Sequence, residues 1–234
     1  MTHILLPDDK ERRLVFYLAM EEFVADNLGE GFFIWQVPPT VIFGRNQDME
    51  AEVNVPFCEE HGIHMYRRKS GGGCVYSDWG NIMISYVVGR TGVEDVFAEY
   101  LDRLAEVLGS LGLAAATTSH NDVMVGDRKV SGNAFFARPS SSIVHGTLLY
   151  NSDFSMLEKA ITPSKEKLES HGVKSVRQRV ANLRDLGLKL SAEELKDLLV
   201  KSFCDSERVL TEEEIRCVEN VEKSYLDPAF IRGK

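Results

Sequence analysis

Long apolar runs are missing from this chain, and none approaches the ~18–20 residues that a bilayer span requires. The opening MTHILLPDDKERR likewise lacks the charged-then-apolar order of a secretion signal. A basic excess is missing too. With 27 Lys and Arg against 36 Asp and Glu, the formal net charge is −9. That balance argues against non-specific nucleic-acid binding, which needs a basic footprint. Cysteine is sparse. Cys58, Cys74, Cys204 and Cys217 stand too far apart for metal-ligand spacing, and they read as reduced, mostly buried thiols. Internal repeats and low-complexity tracts are also absent. These absences point to a cytoplasmic protein with neither a membrane nor a nucleic-acid partner.

What is present is an ordinary globular composition, 44% hydrophobic and 27% charged, and 234 residues are ample for a sizeable core. Residues 10–27 read as a helix with Leu14, Leu18 and Val24 on its apolar positions. GFFIWQV (31–37) and TVIFGR (40–45) read as strands joined at Pro38–Pro39, neither of which can donate to a ladder. A broken helical stretch with Pro56 ends near Gly62, and IHMYRR (63–68) is the next strand. NIMISYVV (81–88) is nearly continuous in apolar residues, which predicts a strand covered on both faces.

The clearest helix spans 93–111, where Val96, Tyr100, Leu101, Leu104 and Leu108 recur at helical spacing. Thr91 with Glu94 predicts a capping box at its start, and Gly112 predicts its stop. DVMV, GDR and KVSGNAFFA form a hairpin pattern, and HGTLLY (145–150) supplies another strand. Beyond residue 155 the chain turns mostly helical, with capping boxes expected at Ser191/Glu194 and Thr211/Glu214. Strands first and helices later predict an α+β fold, antiparallel wherever short turns connect the strands.

Four stretches carry possible chemistry. RRKSGGGCVYSDWGN (67–81) places three glycines behind a local cationic spot of Arg67, Arg68 and Lys69. Glycine turns can form an anion-holding nest of backbone N–H groups, and arginines can grip phosphate or carboxylate bidentately. The run is neither a P-loop nor a dinucleotide fingerprint, since no GK[ST] follows and it does not open a helix. In GDRKVSGNAFF (126–136), Lys129 begins a strand, from which an ammonium can stabilise charge developing on an oxygen. SHND (119–122) brings Asn121 and Asp122 to a strand junction, a carboxylate suited to Mg2+ near phosphates. HGTLLY pairs His145 with Gly146. Singly, each stretch is equally an ordinary turn, a solvated lysine, an Asx turn or a structural histidine.

Together and in this order, with SVRQRVANL (175–183) and YLDPAFIRG near the end, they resemble the lipoate–protein ligase family over almost the whole chain. The resemblance implies a mixed, largely antiparallel sheet flanked by helices, a biotin/lipoate ligase-like catalytic core. It implies one catalytic domain over 1–234, helical towards its end, without the small accessory domain of larger members. The implied activity is ATP-dependent attachment of lipoate to an acceptor lysine through lipoyl-AMP, with Mg2+ as cofactor. The acceptor would be a lipoyl domain or the glycine-cleavage H protein, and a separate accessory protein is a further expected partner.

The implied site is equally specific. Arg68, Ser70, Gly71, Gly72, Gly73, Cys74, Val75, Tyr76 and Asn81 would meet the nucleotide and adenylate. Lys129 would touch the α-phosphate and the acyl carbonyl oxygen, Asn121 the phosphate, and Asp122 the Mg2+. Gly132, Ala134, His145 and Gly146 would wall an apolar acyl tunnel. Two positions depart from the family pattern: Ser77 stands where histidine is usual, and Cys74 where alanine is usual. Two rival readings stay open at this point. One is an ATP-independent acyl transferase using Cys74, although TTSHND ahead of Lys129 lacks the thiol such enzymes carry there. The other is a non-catalytic relative that binds lipoate or lipoyl-AMP.

Overall fold

A computed structural model describes residues 1–118, 121–162 and 179–233. An eight-stranded, mostly antiparallel sheet forms its centre, flanked by helices on both faces, with a three-stranded sheet against one side. The fold is α+β, as expected.

The large sheet contains β1 (Thr2–Leu5), β2 (Gly31–Trp35), β6 (Asn81–Val88), β7 (Ala115–Thr117), β8 (Asp122–Val125), β9 (Arg128–Ala137), β10 (Ser142–Leu149) and β11 (Ser206–Val209). Their spatial order is β11-β1-β2-β6-β10-β9-β8-β7. The small sheet sets β3 (Thr40–Phe43) between β4 (His64–Arg67) and β5 (Val75–Ser77). Pro38–Pro39 therefore does more than interrupt a ladder: it sends the chain from one sheet to the other. Three pairings are parallel, β1 with β11, β1 with β2, and β3 with β4. Each joins segments brought together by long connections, so the short-turn rule does not govern them.

Helix α1 (Leu14–Asn27) starts four residues later than periodicity suggests. Asp8 holds this stretch in a non-helical conformation: it accepts from the Lys10 amide at 3.1 Å and pairs with Arg12 at 2.8 Å. The helix buries ten of the eleven residues from Leu14 to Val24, all but Tyr17, because the large sheet covers one side and α7 (Glu212–Tyr225) another. On the far face of the sheet lie α4 (Val93–Ser110) and α6 (Ala192–Phe203). Strand β6, between these layers, is buried at every position, as its apolar run predicts. At roughly 1.5–3 kcal/mol per buried large side chain, these two cores dominate the fold.

The capping boxes of Ser191/Glu194 and Thr211/Glu214 both form. The one expected at Thr91 does not. Gly92, at φ 121°, takes the N-cap of α4, so Glu94 falls at the second helical position, out of register with Thr91. Gly112, at φ 81°, stops that helix as expected.

Four short helices complete the described structure: α2 (Met49–Glu52), α3 (Val55–Glu60), α5 (Phe154–Ala160) and α8 (Pro228–Arg232). A third, smaller core of Val41, Phe43, Cys58, Tyr76, Leu157 and Ile161 ties α3 and α5 to the small sheet. Among the described residues, no helix is long and apolar enough to cross a membrane.

Candidate active site

A cavity of about 800 Å3 opens between the large sheet, α1 and the small sheet. Its floor is one row of residues paired across five strands: Trp35, Met83, Thr147, Gly132 and Asp122. At ~4.8 Å per strand, that row is roughly 19 Å long. One end is apolar, where Leu14 and Leu18 of α1 and Ile42 of β3 join Trp35 and Met83. The other is ionic, formed by Asp122, Lys129 and Arg179. The sheet thus grades from greasy to charged along one line.

Lys129 reaches this floor through a β-bulge. Ser131 pairs with Val123 and Lys129 with Met124, so Val130 between them has no opposite number. Simple alternation would aim Lys129 away from Gly132's face; the extra residue re-aims it. Val130 is fully buried in the core beneath α4 and α6, while Lys129 lies over Gly132. A Cβ at 132 would stand 2.5 Å from the lysine Nζ. The Ala181 amide donates to the Lys129 carbonyl at 3.0 Å and anchors the bulge from outside the hairpin.

Asp122 answers the lysine. Its Oδ1 lies 2.6 Å from Lys129 Nζ and its Oδ2 2.5 Å from Arg179 Nη2. Each oxygen therefore faces one cation. Among the described residues, no group of three or more His, Cys, Asp or Glu side chains is placed to hold a metal. The carboxylate expected to meet Mg2+ thus stands here between two cations. Asn121 is likewise engaged, its amide donating to the Asn133 carbonyl at 2.6 Å and its own carbonyl accepting from Asn133. It clamps β8 to β9 while lining the cavity.

The glycine run is organised around its own arginine. Arg68, only 4% exposed, donates to the carbonyls of Gly71 and Gly73 at 2.7 Å and of Ile42 at 3.3 Å. Burial pushes its pKa down to about 10, so it stays a cation near neutrality. Gly72, at φ 93°, wraps the guanidinium so closely that a Cβ there would be 2.8 Å from Nη2. Gly44 must also be small, since a Cβ would lie 2.2 Å from the Gly72 carbonyl oxygen.

Arg67 turns the other way and donates to Phe230 and Ile231 of α8 and to Gly44, Arg45 and Gln47. Lys69 pairs with Glu22 at 2.6 Å. The local cationic spot expected from the sequence is turned inward: both arginines are buried under backbone carbonyls, and Lys69 is paired with an acid. Gly72, Gly73, Cys74, Val75 and Tyr76 do border the cavity, along with Arg68's side chain.

A buried polar chain runs beside the apolar end. Trp35 Nε1 donates to Ser85 Oγ at 2.9 Å, and Ser85 donates to Glu21 Oε1 at 2.6 Å. Glu21 Oε2 is 2.9 Å from His145 Nδ1, and His145 Nε2 is 2.7 Å from Ser70 Oγ. Because a carboxylate only accepts, His145 donates from Nδ1 and turns Nε2 to Ser70. Ser70 thus belongs to this chain rather than to the cavity lining.

Other expectations divide. Gly132, Ala134 and His145 lie on the cavity side. Gly146 borders the cavity by its backbone, but its missing side chain faces the other way: a Cβ would meet Asn133 Oδ1 at 1.9 Å and Tyr100 Oη at 2.6 Å. Asn81 is not among the lining residues. It is fully buried on the floor strand, and among the described residues neither amide atom has a partner. Ser77 Oγ is buried in the same condition on β5. Ser119, His120 and residues 175–178 of SVRQRVANL lie outside the described residues. Sequence reasoning missed Arg179 and Glu21. Arg179 had a signal, its place in the SVRQRVANL motif, whereas Glu21 looked like one acid among many on a helix.

Comparison with known proteins agrees with this geometry. The chain is 38% identical over 215 residues to lipoate–protein ligase 1 of Staphylococcus aureus, covering 88% of this chain and 65% of that protein. It is 34% identical to lipoate-protein ligase LplJ of Bacillus subtilis, covering 88% and 66%. The chain therefore spans just under two thirds of the length of these curated relatives. Its backbone superposes with a TM-score of 0.87, at 26% identity and over 99% of this chain and 96% of the other, on a solved structure. That structure comes from the study of an archaeal lipoylation system, a bi-partite lipoate protein ligase and its E2 lipoyl domain from Thermoplasma acidophilum. Residues 14–204, which include the whole cavity floor, match the lipoyl protein ligase A/B catalytic domain, and the chain belongs to that family.

Proposed function

We propose that this chain activates lipoate with ATP and transfers the lipoyl group to a lysine of an acceptor protein. The observation that carries the reading is the graded floor row, apolar at Trp35 and Met83 and ionic at Gly132 and Asp122. An acyl chain gains about 25 cal/mol per Å2 on leaving water, so its stem and ring lie at the apolar end. Its carboxylate then meets Lys129.

Two steps follow. A lipoate carboxylate oxygen attacks the α-phosphorus, the α–β P–O bond breaks, and pyrophosphate leaves with its electron pair. An acceptor amine then attacks the carbonyl carbon, the C–O bond to AMP breaks, and the nitrogen loses a proton. Negative charge grows on a phosphoryl oxygen in the first step and on a carbonyl oxygen in the second. Lys129, over Gly132 at the ionic end of the row, serves both. The glycine loop, braced by Arg68, supplies a rigid rim for the nucleotide. A lipoyl domain or an H protein fits the acceptor role, and a separate accessory protein is a further proposed partner.

The test is incubation with ATP, Mg2+ and lipoate, followed by apo-lipoyl domain or apo-H protein. The expected results are lipoate-dependent release of pyrophosphate and a lipoyl mass increment on one acceptor lysine. Acyl transfer without ATP that is lost in Cys74→Ser would replace this reading with a cysteine transferase. Lipoate binding with no pyrophosphate at all would reduce the chain to a binding protein.

A further inference from the structure

Among the described residues, the carboxylate of Asp122 faces two cations at the polar end of the floor, Lys129 and Arg179. Asp122 is 4% exposed, whereas the side chains of Lys129 and Arg179 are 21% and 26% exposed. The carboxylate is therefore the buried member, and the two cations lie above it at the cavity wall. A buried carboxylate keeps its charge only with such partners. The reverse does not hold. A guanidinium has five donors, and one carboxylate oxygen on Nη2 of Arg179 does not saturate them. A fork-shaped guanidinium beside an ammonium is also the donor set that two phosphate oxygens require.

We propose that Arg179 is a second phosphate-binding residue of this site, and that Asp122 is the positioning residue on which Arg179 and Lys129 are held before nucleotide arrives. The inference rests on the nucleotide reading above and adds to it a role for Arg179 and a different one for Asp122. Three elements contribute. Asp122 opens β8, Lys129 sits at the bulge of β9, and Arg179 enters with the segment whose Ala181 amide pins that bulge. The carboxylate joins them, so the spacing of the two cations is set by the sheet rather than by the ligand. Preorganised charge of this kind needs little rearrangement when phosphate binds.

Calorimetric titration with ATP and Mg2+, without lipoate, tests the assignment alongside steady-state adenylation. Arg179→Gln is expected to weaken ATP binding about tenfold or more, as loss of a charge-assisted contact does, and Arg179→Lys to recover part of it. Asp122→Asn is expected to bind ATP at least as tightly as the parent, with kcat lowered about tenfold or more and the Mg2+ requirement unmoved. Thermal melts confirm that each variant is folded. Should Asp122→Asn not fold, Asp122→Glu keeps the charge, displaces it by one methylene, and is expected to lower kcat with the same Mg2+ requirement. Parent-like ATP affinity in Arg179→Gln would overturn the role of Arg179. Weaker ATP binding together with a raised Mg2+ requirement in the Asp122 variants would make Asp122 a metal ligand. A parent protein that binds no ATP would defeat the nucleotide reading itself, a separate result.

Discussion

Lys129 lies flat across Gly132: a Cβ built at 132 would sit 2.5 Å from the lysine Nζ and 2.6 Å from its Cε. The glycine is thus a groove for the lysine, three residues further along the same strand. Gly132→Ala is expected to leave the fold intact, because alanine suits a strand interior at least as well as glycine. It should nevertheless displace the ammonium and lower adenylation by roughly 10-fold to 100-fold. Lipoate-dependent AMP formation by the variant, at unchanged melting temperature, measures this. Parent-like rates would mean that Lys129 can act from elsewhere.

Lys129→Ala should cost more. Removing one donor to a developing oxyanion typically costs about 10²-fold or more in rate, and here the same nitrogen serves both half-reactions. Adenylation and transfer from preformed lipoyl-AMP, assayed separately, should both slow. A defect confined to one step would split the role assigned to it.

Glu21 is 2% exposed and accepts from Ser85 and His145. Glu21→Ala would strand both partners in the interior, at an expected cost of about 1–3 kcal/mol each in the usual range for a buried unpaired group. Urea unfolding of parent and variant measures the difference. Glu21→Gln, which can still accept from Ser85, should lose less.

Arg68 braces the glycine loop from inside. Arg68→Ala would leave the carbonyls of Gly71, Gly73 and Ile42 without their donor. The expected result is faster amide hydrogen exchange through 70–74 and a higher KM for ATP, with the sheet strands unaffected. Exchange unchanged in that loop would show that the guanidinium is not what holds it.

The thiols should separate by environment. Burial pushes Cys58 up to about 11 and Cys204 up to about 12, which lowers their thiolate fraction at neutral pH. Cys217 is exposed, and Cys74 borders the cavity. Maleimide at about pH 7.5 should therefore label Cys217 quickly and Cys58 and Cys204 slowly. Labelling of Cys74 should slow when ATP or lipoate is present, and mass spectrometry of peptides reads all four. Cys74 labelling indifferent to both ligands would place them outside this cavity.

The two capping boxes, helix α4 with its glycine stop, the doubly covered strand β6 and the Asp122–Ala137 hairpin were all legible in the amino-acid order. Each depends on neighbours within a few residues, so periodicity and cap chemistry suffice to place it. The family motifs were legible for the same reason, as short strings with fixed spacing. What tertiary structure alone decided is where side chains point and which distant strands meet. Arg68 turned inward because the carbonyls of its own loop and of Ile42 close around it, and no local pattern announces that. β1 and β11 pair in parallel across nearly the full length of the chain, and strands so short carry little signal of their own. The bulge at Val130, which brings Lys129 over Gly132, arises from register between two strands, and register is a property of the pair. Arg179 and Lys129 meet on Asp122 because the sheet places it between them, a coincidence of three elements that linear spacing does not encode.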